Sequence, residues 1–237
     1  MLGTDRGFFL MGGLFLLAFA VVVGMVIWSA VGAQKRREAL SVTAARHEWT
    51  YLPRDDTWVD RFSGLPFGRG FDQRATNVIT GRYEDRRFVA FDYRYSTRSL
   101  STDAQGHTTS KTDHHYYSVI SLDLGVDLPR LLVTPEGFFG RIVGRLTNTD
   151  IELESEQFNR AFTVSCDDRK FASDVLHPQM MEYLLGFPEM AWRCEGGGLV
   201  AIRPGEHDPE EVEAKLAALS GIATRIPPFV WQQFGAS

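Results

Sequence analysis

The chain has 237 residues, of which 44% are hydrophobic, and it carries a formal net charge of -5 at pH 7. This acidic balance argues against a general nucleic-acid binder, because such proteins present a basic face to the phosphates, so no nucleic-acid partner is predicted. The hydrophobic content is ordinary for a globular protein, and the length allows one sizeable core or two small ones.

The first element is an apolar stretch at residues 8–33, which holds 26 consecutive positions without a charged side chain. At 1.5 Å of rise per residue it reaches about 39 Å as a helix, whereas the hydrocarbon core of a bilayer is about 30 Å thick. Backbone amides inside a bilayer must be paired within their own segment, so a spanning stretch is helical throughout. We therefore predict a single transmembrane helix, with the lipid bilayer as its partner over residues 8–33.

The charges on either side of this stretch predict its orientation. Asp5 and Arg6 precede it, and Lys35, Arg36 and Arg37 follow it directly. Cytoplasmic flanks of membrane helices carry an excess of basic residues. The pattern therefore favours a single-pass protein of the cell membrane with a short external N-terminus and a cytoplasmic globular domain.

A cleaved secretory signal is the alternative, because residues 31–33 loosely fit a small-residue cleavage site. The apolar stretch is much longer than a signal core of about 7 to 15 residues, which favours the membrane anchor. An exported domain would allow Cys166 and Cys194 to form a disulfide that bridges neighbouring strands, whereas a cytoplasmic domain would keep both thiols reduced. Neither cysteine belongs to a CxxC motif or a Cys/His cluster, so no zinc site is predicted.

Three segments are predicted along the chain. Residues 1–33 hold the N-terminal segment and the transmembrane helix. Residues 34–48 are polar at first and form a juxtamembrane helix or linker. Residues 49–237 form an α+β globular domain, which can be subdivided near residue 148.

The globular domain opens with the alternation of side chains that is typical of strands. Aromatic and β-branched residues on both sides of Glu84 and Asp85 predict an antiparallel hairpin over residues 75–95. Residues 99–113 are rich in Ser, Thr, Gly and Asp, and we expect a mobile connection there. Alternation resumes over residues 114–124, which predicts a third long strand in the same sheet.

Signals for further elements follow. Residues 128–135 have the pattern of a strand, and residues 137–146 that of a short helix or an irregular packed segment. Asp167 or Asp168 can cap a helix, and Pro178 fits the first position of a second helix. The expected fold is therefore α+β, with a mainly antiparallel sheet and two or three packed helices behind an N-terminal transmembrane helix.

The C-terminal region predicts a hairpin and a last helix. Three glycines at residues 196–198 favour a tight turn within residues 189–203. Asp208 is a candidate N-cap with a proline after it, and Gly221 is a plausible terminator of the same helix. The apolar tail at residues 226–231 is expected to pack back on the domain, because an exposed cluster of this kind promotes aggregation.

The best metal candidates are the adjacent His114 and His115. Neighbouring residues of a strand point to opposite faces of the sheet, so these two imidazoles are unsuited to bind one ion. Residues 66–70 contain two glycines but lack the spacing of a phosphate-binding loop, and they predict a turn. We therefore assign no catalytic, cofactor-binding or metal-binding residue.

Two runs in the second half, LESEQFNRAFTV and FASDVLHPQMMEYLL, resemble a bacterial family of membrane-associated proteins classified as a domain of unknown function. The resemblance covers residues 152–203, and it implies no activity or catalytic residues. Within the first run, Glu154 and Glu156 would share one face of a strand, and Arg160 would neutralise them. Such a group is more often a structural ion-pair network than an acid/base pair.

The sequence therefore predicts a membrane-anchored, noncatalytic interaction or regulatory module of unknown ligand, with a protein as a potential partner. This prediction depends on the lack of a nucleophile, metal or phosphate motif in its expected context. One alternative is a membrane-tethered hydrolase that uses Glu154 or Glu156 with a histidine brought close by folding. The other is an exported domain held by a disulfide.

Overall fold

In the computed structural model, the chain folds into one large antiparallel sheet with helices on one side. The structure describes residues 4–102, 106, 108–136 and 151–235, and within the first helix it describes side chains from Phe19 onward, except at positions 22, 26 and 27. The described strands are β1 Thr50–Arg54, β2 Phe71–Tyr83, β3 Arg86–Thr102, β4 Thr108–Asp123, β5 Leu131–Pro135, β6 Phe162–Cys166, β7 Ala191–Glu195 and β8 Gly198–Pro204. The described α-helices are α1 Thr4–Arg46, α2 Glu156–Ala161, α3 Arg169–Val175, α4 Pro178–Leu185, α5 Glu211–Arg225 and α6 Pro228–Gly235, and a 3₁₀ helix spans Asp56–Trp58.

The strands follow the order β1-β2-β3-β4-β8-β7-β5-β6, and every neighbouring pair is antiparallel. This arrangement confirms the predicted α+β class, the mainly antiparallel sheet and the hairpin between β2 and β3. The described helices outnumber the two or three that were predicted, because short helices such as α2 give weak sequence signals. The segment at residues 137–146 and the subdivision near residue 148 lie outside the described residues.

Alternation along the strands gives the sheet two different faces. In β3, Phe88 and Ala90 face the helices, whereas Val89 and Phe91 belong to a second cluster on the opposite side. The first face packs against α1 and the helices of the C-terminal half. The second face is covered by the segment between β1 and β2, which includes Phe67.

Helix α1 is one unbroken helix that begins at Thr4, before the apolar stretch, and ends inside the domain at Arg46. Its apolar stretch is helical, and the following segment, predicted as a helix or linker, is helical to Arg46. Leu40 and Ala44 are fully buried in the core on the helix side of the sheet. Among the residues whose side chains are described, no helix carries an apolar segment long enough to cross a membrane.

The loop on the opposite face is held by a buried arginine of β7. Arg193 donates to the carbonyl oxygens of Leu65 at 2.8 Å and Ser63 at 2.7 Å, and its Nε donates to Glu195 at 2.6 Å. Because Arg193 is 3% exposed, these acceptors replace the water that a buried guanidinium loses. The predicted turn at residues 66–70 is confirmed as the last part of this loop.

Two glycines of this loop provide a matched test of its packing. Gly68 and Gly70 both have positive φ, 70° and 63°, but only Gly70 lies against β3, where a Cβ would collide with the carbonyl oxygen of Ser96. We expect Gly68→Ala to lower the free energy of unfolding by about 1 kcal/mol, the cost of the left-handed conformation. Gly70→Ala should cost about 3 kcal/mol, because overpacking adds to that strain.

Urea unfolding of the full chain in detergent micelles, followed by tryptophan fluorescence, measures both free energies. Equal losses for the two variants would show that the contact between Gly70 and β3 is absent.

The predicted mobile connection at residues 99–113 is wrong for the residues of it that the structure describes. Residues 99–102 and 108–113 belong to the paired ribbon of β3 and β4, with Thr97 opposite Asp113 and Thr102 opposite Thr108. An exposed two-stranded ribbon has no buried face, so it needs no apolar alternation, and threonine suits extended backbone. The polar composition of this part of β3 and β4 therefore gave no sequence signal for their pairing.

The local signals of the C-terminal half give mixed results. Asp168 caps α3 by accepting from the N–H of Phe171 at 3.0 Å, and Pro178 is the first residue of α4, as predicted. The prediction of Asp208 as the N-cap is wrong, since α5 begins three residues later, at Glu211. The predicted terminator Gly221 is wrong, because α5 continues past it.

Gly221 has a packing role instead of a terminating one. A Cβ at this position would collide with the hydroxyl of Tyr183, which donates to the carbonyl oxygen of Ala218 at 3.2 Å. The lack of a side chain thus lets α4 and α5 approach closely. The C-terminal tail packs back on the domain as predicted, with Val230 of α6 buried.

Both cysteines are free and buried. Cys166 of β6 lies opposite Leu131 of β5, and Cys194 lies in β7 on the other side of β5. Two strand spacings separate them, about 9 to 10 Å, whereas a disulfide requires Cα atoms within about 7 Å. The disulfide between neighbouring strands that was considered for an exported domain is therefore not formed. Burial raises the pKa of the Cys194 thiol to about 12.

Candidate functional site

Helix α1 is fixed to the domain by a buried polar network around Asp92 of β3. Asp92 is 2% exposed and accepts from Arg36 Nη1 at 2.9 Å and from the backbone N–H of His207 at 2.7 Å. Arg36 also donates to the carbonyl oxygen of His207 at 3.1 Å and pairs with Glu206 at 3.0 Å. The carboxylate of Asp92 therefore joins α1 to the segment that precedes α5.

A bulge in β2 supplies another donor to the same carboxylate. The register between β2 and β3 shifts between Thr76 and Ile79, and Asn77 has a φ of 51°. Its Nδ2 donates to Asp92 at 2.7 Å, and its Oδ1 accepts from the hydroxyl of Tyr51 at 2.8 Å. The bulge thus directs a side-chain amide toward Asp92.

A cavity of about 400 Å³ lies beside this network, between α5, the segment that joins α4 to β7, and the helix side of β4 and β8. Its apolar walls are formed mainly by Ile120, Phe187, Pro188, Met190, Ala201 and Ala218. Small-molecule sites typically enclose about 300 to 1,000 Å³, so this cavity has a suitable size. A short turn after α4 and the packing of α5 across the sheet together leave this space open.

His207 belongs both to the network and to the cavity wall. His207 is 2% exposed, and its Nε2 lies 3.1 Å from the carbonyl oxygen of Val119, so Nε2 carries the proton and donates. Burial lowers the pKa of His207 to about 4, so the ring is neutral near pH 7. Its Nδ1 is therefore an acceptor, and it is buried without a partner among the described residues.

The rim of the cavity carries two cations and two carboxylates. Arg203 binds both oxygens of Glu211, with Nη1 at 3.3 Å from one and Nη2 at 3.1 Å from the other. The ammonium of Lys215 lies 2.8 Å from the same carboxylate, but the angles at this contact are not those of a hydrogen bond. Lys215, together with Arg203, lowers the pKa of Glu211, while burial lowers the pKa of Lys215. The exposed Glu189 also lines the cavity, so the charges at the rim balance.

The residues singled out in the sequence lie elsewhere. His114 and His115 bond to Ser96 and Thr97, each at 2.8 Å, and the described residues contain no group of potential metal ligands. The prediction for Glu154 and Glu156 on one strand is wrong, because Glu156 is the first residue of α2.

Arg160 pairs with Glu156 one helical turn away at 3.0 Å, and both side chains are exposed. Glu154 precedes α2 and is exposed as well. Ser155 caps this helix by accepting from the N–H of Phe158, a capping signal that the strand interpretation overlooked.

Sequence reasoning missed the groups that form the network and the cavity. The sequence contains one signal of this network, Asp92, because this acid follows Phe88 and Ala90 at two-residue spacing and so lies on the helix side of β3. A charged residue in such a position needs a partner. That partner, Arg36, lies 56 positions away, and its place in the sequence identifies it only as part of the basic membrane flank.

Comparison with known proteins gives a match to a family model and a match to a solved structure. A family model described as a protein of unknown function, DUF3137, matches residues 130–192. This match confirms the predicted resemblance to a domain of unknown function. No curated protein matches the chain in sequence.

Among solved structures, the chain is similar to the crystal structure of the mycobacterial trehalose monomycolate transport factor A, TtfA. The TM-score is 0.54 and the sequence identity 13%, and the match covers 84% of this chain and 94% of that chain. At this identity the likeness concerns the fold.

Proposed function

We propose that this protein is a membrane-anchored, noncatalytic interaction module, and that α1 is its anchor. The carrying observation is the exposure of large apolar side chains along α1: Phe19 is 68% exposed, Met25 67% and Trp28 83%. Apolar surface of this extent on a helix is stable in water only when something covers it. The uncharged stretch at residues 8–33 is long enough for that cover to be a bilayer.

The contacts of α1 favour a rigid connection between anchor and domain. Arg36 lies only three residues, about 4.5 Å along the helix, beyond the apolar stretch, and it already pairs with Asp92. Leu40 and Ala44 are buried one and two turns later. The proposed module therefore holds the Asp92 network and the adjacent cavity close to the membrane surface, on the cytoplasmic side favoured by the basic flank.

A noncatalytic role agrees with the surroundings of the residues proposed for a hydrolase. Each of the five described histidines contacts a partner other than Glu154 or Glu156. The pairs are His47 with Glu213, His114 with Ser96, His115 with Thr97, His177 with the carbonyl of Arg225, and His207 with the carbonyl of Val119. By its name, the structural neighbour is a transport factor for trehalose monomycolate, which supports a lipid-associated role for this chain.

Membrane fractionation of the full chain, followed by an alkaline carbonate wash, tests the anchor. We expect the protein to stay in the washed membrane pellet. Replacing Val21, Val23 and Met25 by arginine should release most of it, because each arginine near the centre of a span costs about 2.5 to 3.5 kcal/mol.

The matched control places three arginines on exposed positions of the same helix beyond the apolar stretch, at Gln34, Val42 and Ala45. This variant should remain in the pellet, since these positions lie on the water side of the proposed anchor. Release of the unaltered protein by carbonate, or equal release of both variants, would reject the anchor.

A further inference from the structure

The cavity beside α5 has features that the proposed anchor does not use. Its walls are mainly apolar, and its lining residues contribute three side-chain atoms that are buried without a hydrogen-bond partner among the described residues: His207 Nδ1, Glu211 Oε2 and Lys215 Nζ. The last two lie 2.8 Å apart as an ion pair, which leaves the acceptor His207 Nδ1 as the unpaired member of the three. An unpaired buried polar atom destabilises the folded protein, and this cost persists unless a ligand or water satisfies the atom. A ligand that offers a donor at this point would recover that cost.

We propose that this cavity binds a single-chain amphiphile whose uncharged head group carries a hydroxyl, with the chain against the apolar walls and the hydroxyl donating to His207 Nδ1. This inference goes beyond the anchoring role and holds whether or not α1 spans a bilayer.

The chemistry of the occupant follows from the walls and the rim. The apolar wall residues, such as Ile120 and Met190, suit an acyl chain rather than a polar ligand. The ring of His207 is neutral near pH 7, and its Nε2–H is already donated to Val119, so Nδ1 requires a donor and a carboxylate cannot supply one.

The rim favours an uncharged head group for a second reason. Arg203 and Lys215 are matched by Glu211, with which they pair, and by the exposed Glu189. With its charges balanced, the rim offers little net attraction to an ion of either sign. A glycerol-like head group can instead hydrogen-bond to these side chains without a change in charge.

With α1 as the proposed anchor, the position of the cavity also favours a molecule that comes from a membrane, and this one step rests on the proposed function. The backbone of His207 contacts Arg36 at 3.1 Å, so the cavity wall adjoins the point where α1 leaves its apolar stretch. An amphiphile at a bilayer surface would thus meet the site without crossing bulk water.

The test uses the full chain with isotope-labelled histidine, reconstituted in phosphatidylcholine nanodiscs, and follows the ¹⁵N resonance of His207 Nδ1. The resonance is assigned by its loss in His207→Gln. The probes are 1-monolauroylglycerol, methyl laurate, which has the same chain without a donor, and laurate, which is anionic. The chemical shift of this nitrogen reports binding in the cavity, and a probe that only partitions into the lipid does not change it.

We expect 1-monolauroylglycerol to shift the Nδ1 resonance saturably, at about tenfold lower concentration than methyl laurate or laurate. Ala214→Trp should abolish the shift, because Ala214 lines the cavity at an exposed position of α5. Ala217→Trp is the matched control: it is also exposed on α5, does not line the cavity, and should keep the shift.

Three results would overturn the inference: no saturable shift with any probe, equal potency of the three probes, or a shift that survives Ala214→Trp. Failure of the anchor is a separate outcome. In that case the carbonate wash would release the protein, and the same resonance could be followed in solution with an unchanged order of probes.

Discussion

Replacing Asp92 by asparagine is expected to lower the free energy of unfolding by about 3 kcal/mol. The carboxylate accepts from Arg36, from Asn77 and from the N–H of His207, and it is almost fully buried. An asparagine offers one oxygen, so its NH₂ group must face one of these donors in either orientation. Breaking a buried ion pair costs about 3 to 5 kcal/mol, and we expect the lower end because Arg36 keeps its contact with Glu206.

The matched control is Asp113→Asn, the same substitution at an exposed site. Asp113 pairs with Lys111 at 2.6 Å, and the lysine side chain is 77% exposed. Exposed ion pairs contribute little, so this variant should change the free energy of unfolding by less than about 1 kcal/mol. Urea unfolding in detergent micelles compares the two variants. Equal effects would contradict the central place of Asp92 in the attachment of α1.

The second large effect expected is a loss of stability on mild acidification. Burial lowers the pKa of His207 to about 4, whereas an unfolded histidine titrates near 6.5. Between these values the unfolded chain binds more protons, so the free energy of unfolding falls as pH drops. The contribution of His207 is complete above about pH 6.5 and lost as pH falls toward 4. From pH 7 to 4.5 this loss amounts to about 2 to 3 kcal/mol.

The surroundings of His207 contribute in opposite directions. Asp92 favours protonation of the ring, while Lys215 and Arg36 oppose it. Burial raises the pKa of Glu206, so protonation of that group favours the folded state as pH falls and reduces the overall slope. Carboxylates with a lowered pKa, among them Glu211, lose their stabilising contribution only near and below pH 4.

Unfolding measured at several pH values between 7 and 5 isolates this contribution. His207→Gln should flatten the pH dependence in that window, whatever its own stability at pH 7. His114→Gln, a change at an exposed histidine, should leave the dependence in place. A slope that persists in His207→Gln would show that another group is responsible.

Local patterns predicted the parts of the fold that depend on neighbours in sequence. The hairpin of β2 and β3 followed from alternation around Glu84 and Asp85, and the start of α4 followed from Pro178. The same reasoning failed at residues 99–102 and 108–113, where an exposed ribbon lacks an apolar face. It also failed at Gly221, where the close approach of Tyr183 leaves no room for a side chain.

The candidate site could not be predicted in the same way, because its members come together only on folding. His207 lies 115 positions from Asp92, and Arg36 lies 171 positions from His207. Each of these residues has an ordinary local explanation: a strand acid, a loop histidine and a basic flank. Their joint role depends on the path of α1 across the sheet, for which the sequence contains no short-range signal.

The most direct test of the proposed anchor is a spin-label accessibility profile along α1, with the full chain in liposomes. Nitroxides placed one at a time at exposed positions report collision with oxygen, which is concentrated in lipid, or with a water-soluble nickel reagent. We expect labels at Met25 and Trp28 to be accessible to oxygen and protected from nickel, and a label at Val42 to show the reverse. Nickel accessibility at Met25 and Trp28 equal to that at Val42 would contradict a membrane anchor joined directly to the domain.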